Sequence, residues 1–539
     1  MQSVVLVGGD SLLIQCGERI LARGHSIAAV VTSEAGAVRW ASARLIPCLE
    51  HVSGLEEIAS RSGFDWLLSI VNFTILPERV LRLARAGAVN FHDGPLPRYG
   101  GLNAPAWALL ADEPEHGITW HRMDARPDTG DILVSRRFPI TSSDSAFTLN
   151  AKCFEAGLAS FDELLTILER GLPGVSQIRD RQTFRTSRDR PPALGMIDWS
   201  ATLSANDRLA RALDFGPYRN PLCTLKLWLG ETYLIVGRFE ARFEHQDAPG
   251  GTVIGKTHEE LVVAADGGAV RLSDLRAADG GAVSLADVCS AHGIDVGIRL
   301  PVPTKEVLDA IDQHARTLAA AESGWLERLA ALEPAEPDLP TGSTSPSIRY
   351  QHVISAAVRQ VLARAADSEV TALRAAAAMF MVVLAGTRRA DIAVPFADRA
   401  VPSSLRRFVS GWTPLQVDLI PEATAIQILG TTAQELDRAA NAVPFFADMR
   451  LRYPRIRNSP GWLPVSIAEA GVDDATSKIP STISMEIGPA GTVTWHSVAS
   501  AVDLAQLGRR FDAFLSRLAE NPHQKGGELH QLMPEEVAI

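Results

Sequence analysis

VVLVGG (residues 4–9), LLIQCGERILARGH (12–25) and SIAAVVT (26–32) open the chain as one alternating unit. The first run is short, apolar and closed by two glycines. The second spaces its apolar residues as a helix does and stops at Gly24 and His25, and the third is again apolar. Near-continuous apolar runs are typical of strands buried on both faces, so the pattern predicts β-α-β. It repeats outward, with FDWLLSIV (64–71) as a strand, LPERVLRLARAG (76–87) as a helix stopped by Gly87, and AVNFH (88–92) as a strand. Strands separated by helices imply an α/β fold with a Rossmann-like, mainly parallel sheet covered on both faces. Ligands in such sheets lie at the carboxyl ends of the strands, where His92 falls. Gly8 and Gly9 lack the GxGxxG spacing, and no acidic residue ends the second strand. They read as a tight turn rather than a dinucleotide fingerprint.

At 539 residues the chain is long enough for three or four folding units of roughly 150 residues each. It is 46% hydrophobic and 21% charged, which excludes a mainly disordered or fibrous protein. The 52 basic and 63 acidic side chains leave a net charge of -11, arguing against a nucleic-acid partner. Its 5 cysteines include no CxxC pair, which argues against a disulfide framework or zinc ribbon and fits a reducing cytoplasm without a bound metal. No basic segment precedes the first apolar run, and no stretch approaches 18 uninterrupted apolar residues, so neither secretion nor a membrane association is expected.

Beyond residue 197 the texture changes. LARALDFGPYRNP (209–221) gives a helix and a Gly/Pro turn. LKLWLG, TYLIVGRFEARF, GTVIGK, ELVVAA and AVRLSDLR then read as five short strands with glycine turns, a small OB-like β-barrel. A helical stretch (305–332) runs into PAEPDLPTGSTSPS (334–347), a Pro/Ser/Thr-rich linker. The expected division is therefore 1–190, 191–303, a helix and linker over 304–345, and a separate α+β unit over 346–539.

The stretch NFHDGPLPRY (90–99), followed by DARPDTGD (124–131), carries the candidate chemistry. Asn90 and His92 are two apart on a strand, so their side chains share a face. Asp93-Gly94 then puts that face at the open edge of the sheet. An amide beside an imidazole suits a developing oxyanion, because the amide N–H and a protonated ring can both donate to it. A nearby carboxylate could accept a proton through water.

NFHDGPLPRYGGLNAPAWALL (90–110) and HGITWHRMDARPDTGDIL (116–133) resemble the folate-dependent formyltransferase family, which includes methionyl-tRNA, glycinamide-ribonucleotide and amino-sugar formyltransferases. Its hallmark is Asn-x-His, then Leu-Pro, then Asp-x-Gly. Here these are Asn90 and His92, Leu96-Pro97, and Asp128-Thr129-Gly130, with Asn90 and Asp128 38 positions apart. VNFTILPERVL (71–81) is similar to the loop lining the folate pocket, and IDW with RALDFGPYRNP to the entry into the small C-terminal barrel. The resemblance implies Asn90, His92 and Asp128 as the catalytic trio and 10-formyltetrahydrofolate as co-substrate. It places the pterin between residues 70–76 and 124–128, with Ile70, Phe73, Leu76, Val89, Asp124 and Asp128 as contacts. Two departures stand out: Asp93-Gly94-Pro95 replaces the usual residues after the histidine, and Gly100 replaces a usual arginine. The folate half of the site thus looks kept and the acceptor half diverged.

The last third resembles the second lobe of nonribosomal-peptide condensation domains, a chloramphenicol-acetyltransferase-like fold. AESGWLERLAALEPAEPDLP (321–340), VTALRAAAAMFMVVLAGTRRADIAVPFADR (370–399), FVSGWTPLQVDL (408–419) and NAVPFFADMRLRYP (441–454) carry it in order. The resemblance implies a catalytically dead half, since no adjacent His pair exists among the 13 histidines. It also implies a possible docking face for a carrier protein or synthetase subunit. The function expected is N-formylation of a small amino-acid-type amine, free or carrier-tethered, in specialised (nonribosomal peptide or siderophore-like) biosynthesis. The alternatives are a nucleotide-linked amino-sugar N-formyltransferase, a formyltetrahydrofolate hydrolase, or an adaptor with a vestigial site.

Overall fold

The computed structural model describes residues 1–341, 348–396, 402–459, 462–471, 481–499 and 501–532. Residues 342–347, the end of the expected linker, and residues 397–399, the end of the condensation-like stretch 370–399, lie outside them.

The first nine strands are β1 (Ser3–Gly8), β2 (Ser26–Val31), β3 (Cys48–Leu49), β4 (Trp66–Ile70), β5 (Gly87–His92), β6 (Gly100–Gly101), β7 (Glu115–Arg122), β8 (Ile132–Pro139) and β9 (Phe184–Arg185). Seven of them make one sheet in the order β3-β2-β1-β4-β5-β7-β8. The first five are parallel, while β7 pairs antiparallel with β5 and β8 with β7. The parallel strands are buried on both faces, by the helices Asp10–Ala22 and Ala146–Arg170 with Ala35–Ala43 on one side and by a second apolar cluster around Leu55, Phe64 and Leu81 on the other. The expected Rossmann-like sheet is therefore present, and its parallel strands all end at one edge, at Gly8, Ile70 and His92. Gly8 has φ +128°, and a Cβ there would lie 2.0 Å from the Ile70 carbonyl oxygen. Close approach of β1 to β4, not phosphate binding, accounts for it.

One expected helix is cut short. Residues 76–87 form only the turn Glu78–Leu81. The backbone N–H groups of Arg85 and Ala86 instead donate to the carbonyls of Phe64 and Asp65, which draws the chain off a helical path and into β5.

β10 (Lys226–Trp228), β11 (Tyr233–Arg242), β12 (Val253–Lys256), β13 (Glu260–Ala265) and β14 (Gly268–Arg276) form an antiparallel ladder, β10-β11-β14-β13-β12, in which the two edge strands β10 and β12 are not paired with each other. β15 (Arg349–Val353), β16 (Arg389–Pro395), β17 (Trp412–Asp418), β18 (Val465–Glu469), β19 (Ile483–Ile487) and β20 (Thr492–Ser497) form a mixed sheet in the order β15-β20-β19-β18-β16-β17. The helix Glu369–Leu384 is buried all round from Ala372 to Val382, at the centre of this unit's core. Among the described residues no helix is long and apolar enough to cross a membrane.

The last unit is not hung on a free linker. Glu333 N–H donates to the Asp391 carboxylate at 2.7 Å, Ala335 N–H to the Asp391 carbonyl at 3.0 Å, and Arg328 pairs with the fully buried Asp391 side chain. Residues 333–335 thus run beside β16, and residues 338–341 bond on to Leu384, Val502 and Asp503 of the same unit. One apolar cluster joins Trp228, Tyr233 and Ile235 of the five-stranded sheet, Val307, Ile311 and Leu318 of the helix Lys305–Ala330, and Phe408, Phe446 and Met449 of the last unit. Through it runs a buried charge chain. Lys226 Nζ and Arg452 Nε meet the two oxygens of Asp448 at 3.0 and 2.8 Å, and Arg452 and Arg190 meet Glu322 at 2.7 and 2.6 Å. Burial disfavours the Asp448 carboxylate, but Arg452, Lys226 and Thr224 outweigh it and hold the group well below the usual carboxylate range.

Candidate active site

β5 delivers Asn90 and His92 to the open edge, and its antiparallel pairing with β7 sets Asn90 opposite His121 and His92 opposite Thr119. Leu96-Pro97 is a cis peptide bond. The chain turns after His92 because Thr119 hydroxyl donates to the Gly94 carbonyl at 2.8 Å and accepts the Leu96 N–H at 3.1 Å. Gly94 is required at this corner: a Cβ would sit 2.7 Å from His92 Nε2 and 2.9 Å from the Tyr99 oxygen.

Asn90, His92 and Asp128 converge. His92 is 4% exposed. Its Nε2 lies 2.7 Å from the Tyr99 carbonyl oxygen, which can only accept, so Nε2 carries a hydrogen and Nδ1 is the nitrogen left for chemistry. That Nδ1 lies 3.8 Å from Asp128 Oδ2 and 3.8 Å from Asp93 Oδ1. Asp128 has φ +57°, a left-handed conformation that Asp tolerates, in the loop between β7 and β8. Gly101 N–H donates to its Oδ2 at 2.7 Å, and the Gln177 amide N–H₂ donates to the Asp128 and Gly130 carbonyls at 3.0 and 2.8 Å. Gly101 itself has φ +89°, and a Cβ would lie 1.9 Å from the Arg185 carbonyl oxygen where β6 meets β9.

His121 belongs to the same site and was not singled out in the sequence. Its Nδ1–H donates to the Arg122 carbonyl at 2.8 Å. Its Nε2 accepts from the Asn90 amide at 3.3 Å when the ring is neutral, and lies 3.3 Å from Asp128 Oδ1, to which a protonated ring would donate. Burial pushes the Asp128 carboxyl up, but the charges of His92 and His121 and the Gly101 N–H outweigh it, leaving it well below the usual carboxylate range.

The expected pterin contacts divide. Ile70 is fully buried at the end of β4, and Leu76 is 5% exposed beneath the loop that follows. Phe73, on that loop, is 61% exposed, with the Arg219 guanidinium 4.1 Å from its ring centroid. Asp124 is exposed, its carboxylate accepting from Arg126 N–H and the Thr129 hydroxyl. Val89 is a correction. Alternation along β5 turns it away from Asn90 and His92, and it is fully buried in the core with Phe91 and Trp120, so it walls no pocket. Ile75, two positions on from Phe73 in the same loop, is 74% exposed.

The formyl transferase family matches residues 56–163, and the formyl transferase C-terminal domain matches residues 191–293. A GDP-perosamine N-formyltransferase of Brucella melitensis is 34% identical over 165 residues, 30% of this chain and 61% of that protein. The chain thus spans less than two thirds of that relative's length. A methionyl-tRNA formyltransferase of Dechloromonas aromatica is 31% identical over 232 residues, 42% of this chain and 71% of its own. The chain belongs to the formyltransferase family. Among solved structures, an N-formyltransferase of Helicobacter canadensis in complex with folinic acid and dTDP-3-aminofucose aligns at 18% identity over 51% of this chain and 100% of its own, with a TM-score of 0.42.

Proposed function

We propose that this chain is a 10-formyltetrahydrofolate-dependent N-formyltransferase that formylates the primary amine of a small amino-acid-type or carrier-tethered acceptor in specialised biosynthesis. The observation that supports this reading is the convergence of Asn90, His92, His121 and Asp128 at one strand edge, with a hydrogen-bond donor and a charge already aimed at a common point. The co-substrate supplies an activated formyl carbon. Asn90, fixed through one N–H by His121, keeps its second N–H for the oxyanion that develops there. His92, fixed through Nε2, presents Nδ1 as a second donor when protonated. Asp128 places a negative charge 3.8 Å from His92 Nδ1 and 3.3 Å from His121 Nε2. No covalent enzyme intermediate is needed.

In this reading residues 1–190 carry the chemistry and hold the pterin at the main chain of Ile70 and at Phe73, Leu76, Asp124 and Asp128. Residues 191–303 are the OB-like companion domain. The unit over 346–539 is a condensation-like lobe without its own reaction, offering a face to a carrier protein or synthetase subunit, in a reducing cytoplasm. A second reading, formylation of a nucleotide-linked amino sugar, is favoured by the Brucella relative. The test is incubation of the full chain with 10-formyltetrahydrofolate and a panel of free, carrier-bound and sugar-linked amines, read by mass spectrometry. A formylated amine supports the proposal and names the acceptor class. Formate released at the same rate with and without amines would make the protein a hydrolase and reject it.

A further inference from the structure

Asp93 sits against the same imidazole nitrogen as Asp128, at the same 3.8 Å, yet the two carboxylates are held in opposite ways. Asp128 has both oxygens committed, Oδ2 to the Gly101 N–H and Oδ1 against His121, and its side chain is 11% exposed. The Asp93 carboxylate takes no hydrogen bond beyond its own backbone N–H and the His92 contact among the described hydrogen bonds, and its side chain is 29% exposed. Its backbone, in contrast, is pinned from below. His116, fully buried in β7, has its Nε2 2.8 Å from the Asp93 carbonyl oxygen, and the Cys153 thiol of the helix Ala146–Arg170 lies 3.8 Å from that oxygen. Burial pushes His116 down to about 4, so it serves as a neutral donor. A fixed main chain thus carries a part-exposed carboxylate to the edge of the site.

We infer that Asp93 is the proton acceptor for the attacking amine, and therefore a catalytic residue beside Asn90, His92 and Asp128. The inference rests on the formyltransferase reading and deepens it. An amine acceptor enters mostly as an ammonium ion at neutral pH and has no lone pair to offer. Asp93 takes one ammonium proton and passes it to solvent. The freed nitrogen forms a bond to the formyl carbon, and the carbonyl electrons move to the oxygen held by Asn90. The second proton of that nitrogen passes through solvent to N10 as the carbonyl re-forms and the carbon–N10 bond breaks. The products are the formamide, tetrahydrofolate and one released proton. Asp128 is the poorer base, because its charge is already spent on two histidines and a backbone N–H. Burial, reinforced by Asp128 and opposed by His92 and by its own backbone N–H, pushes the Asp93 carboxyl up, whereas that of Asp128 is held down. His92 and Asp128 are the ionisable groups facing its carboxylate; His116 and Cys153 face its carbonyl.

The experiment compares full-length wild type, Asp93→Asn and Asp93→Glu, using 10-formyltetrahydrofolate and the amine that the wild type formylates best. Folinic acid binding and a ¹³C titration of labelled aspartate carboxyls are measured alongside. Asp93→Asn is expected to bind folinic acid as the wild type does and to lose an up-shifted carboxyl resonance. At pH 7 its kcat/KM falls by about 10² to 10⁴. That defect shrinks about tenfold per pH unit up to the amine's own pKa, because solvent then supplies the free base. Asp93→Glu restores part of the rate. A pH-independent defect, or no defect, overturns the role of Asp93 while leaving the transferase reading standing. A wild type that neither binds folinic acid nor transfers formyl groups overturns both.

Discussion

Asp128→Asn changes charge at constant shape. Asn, like Asp, tolerates a φ of +57°, and its amide oxygen can still accept the Gly101 N–H, so the loop between β7 and β8 has no reason to move. What disappears is the negative charge 3.8 Å from His92 Nδ1 and 3.3 Å from His121 Nε2. At an effective dielectric of about 20, a unit pair at such separations is worth about 4 kcal/mol, a ceiling because only the part gained in the transition state affects rate. Loss of one preorganised electrostatic contact of this kind lowers turnover by roughly 10² to 10³, or about 2.7–4 kcal/mol, which falls within that ceiling. The assay is single-turnover formyl transfer, with circular dichroism and folinic acid binding as controls. The expected result is a slow step with fold and binding retained. Turnover equal to wild type with an intact fold would refute the argument that this carboxylate sets the charge of the site.

Asn90→Ala removes the amide donor and should lower turnover by roughly 10² to 10³ without unfolding the chain, checked by the same assay. Gly101→Ala forces a Cβ to within 1.9 Å of the Arg185 oxygen, so β6 must separate from β9 and release Asp128. Both activity and thermal midpoint are expected to fall, whereas activity lost at an unchanged midpoint would contradict the steric cause. Asp448→Ala leaves Lys226 and Arg452, 2% and 1% exposed, short of a counter-charge. Urea denaturation should show a loss of about 3–5 kcal/mol, and a loss under about 1 kcal/mol would mean the network is screened by solvent. The Asp448 carboxyl is depressed in the fold, so its stabilisation is present above the unfolded carboxyl value near 3.9 and is lost as pH falls below it. The acid limb of the wild-type stability curve should accordingly be steeper than that of Asp448→Asn. Removing residues 346–539 strips the cover from Trp228 and Tyr233, takes the Asp448 counter-charge from Lys226 and leaves Glu322 with Arg190 alone. The truncated chain is expected to aggregate on expression, and a soluble, folded fragment by size-exclusion chromatography would contradict that.

The Pro/Ser/Thr-rich stretch shows where composition misleads. Residues 334–347 carry the signals of a linker, yet over 333–341 the chain is anchored by Asp391, Leu384 and Asp503, contacts with residues far along the sequence. The helix over 76–87 failed for the same kind of reason, since Phe64 and Asp65 claim its N–H groups. Phe73 and Val89 carried the same apolar label in the sequence, and only strand alternation and burial separate an exposed ring from a core side chain.

The amino-acid order alone determined the alternating parallel architecture, the place of Asn90 and His92 on one strand face, and the distance along the chain to Asp128. Those follow from periodicity, turn residues and motif spacing, which are local properties. Tertiary structure decided which imidazole nitrogen is free, that His121 stands beside Asn90, that Asp93 and Asp128 flank one ring with unequal basicity, and that the last lobe shares a core with its neighbour. These depend on the antiparallel register of β7 on β5 and on charges brought together across hundreds of residues, and no local pattern encodes such pairings.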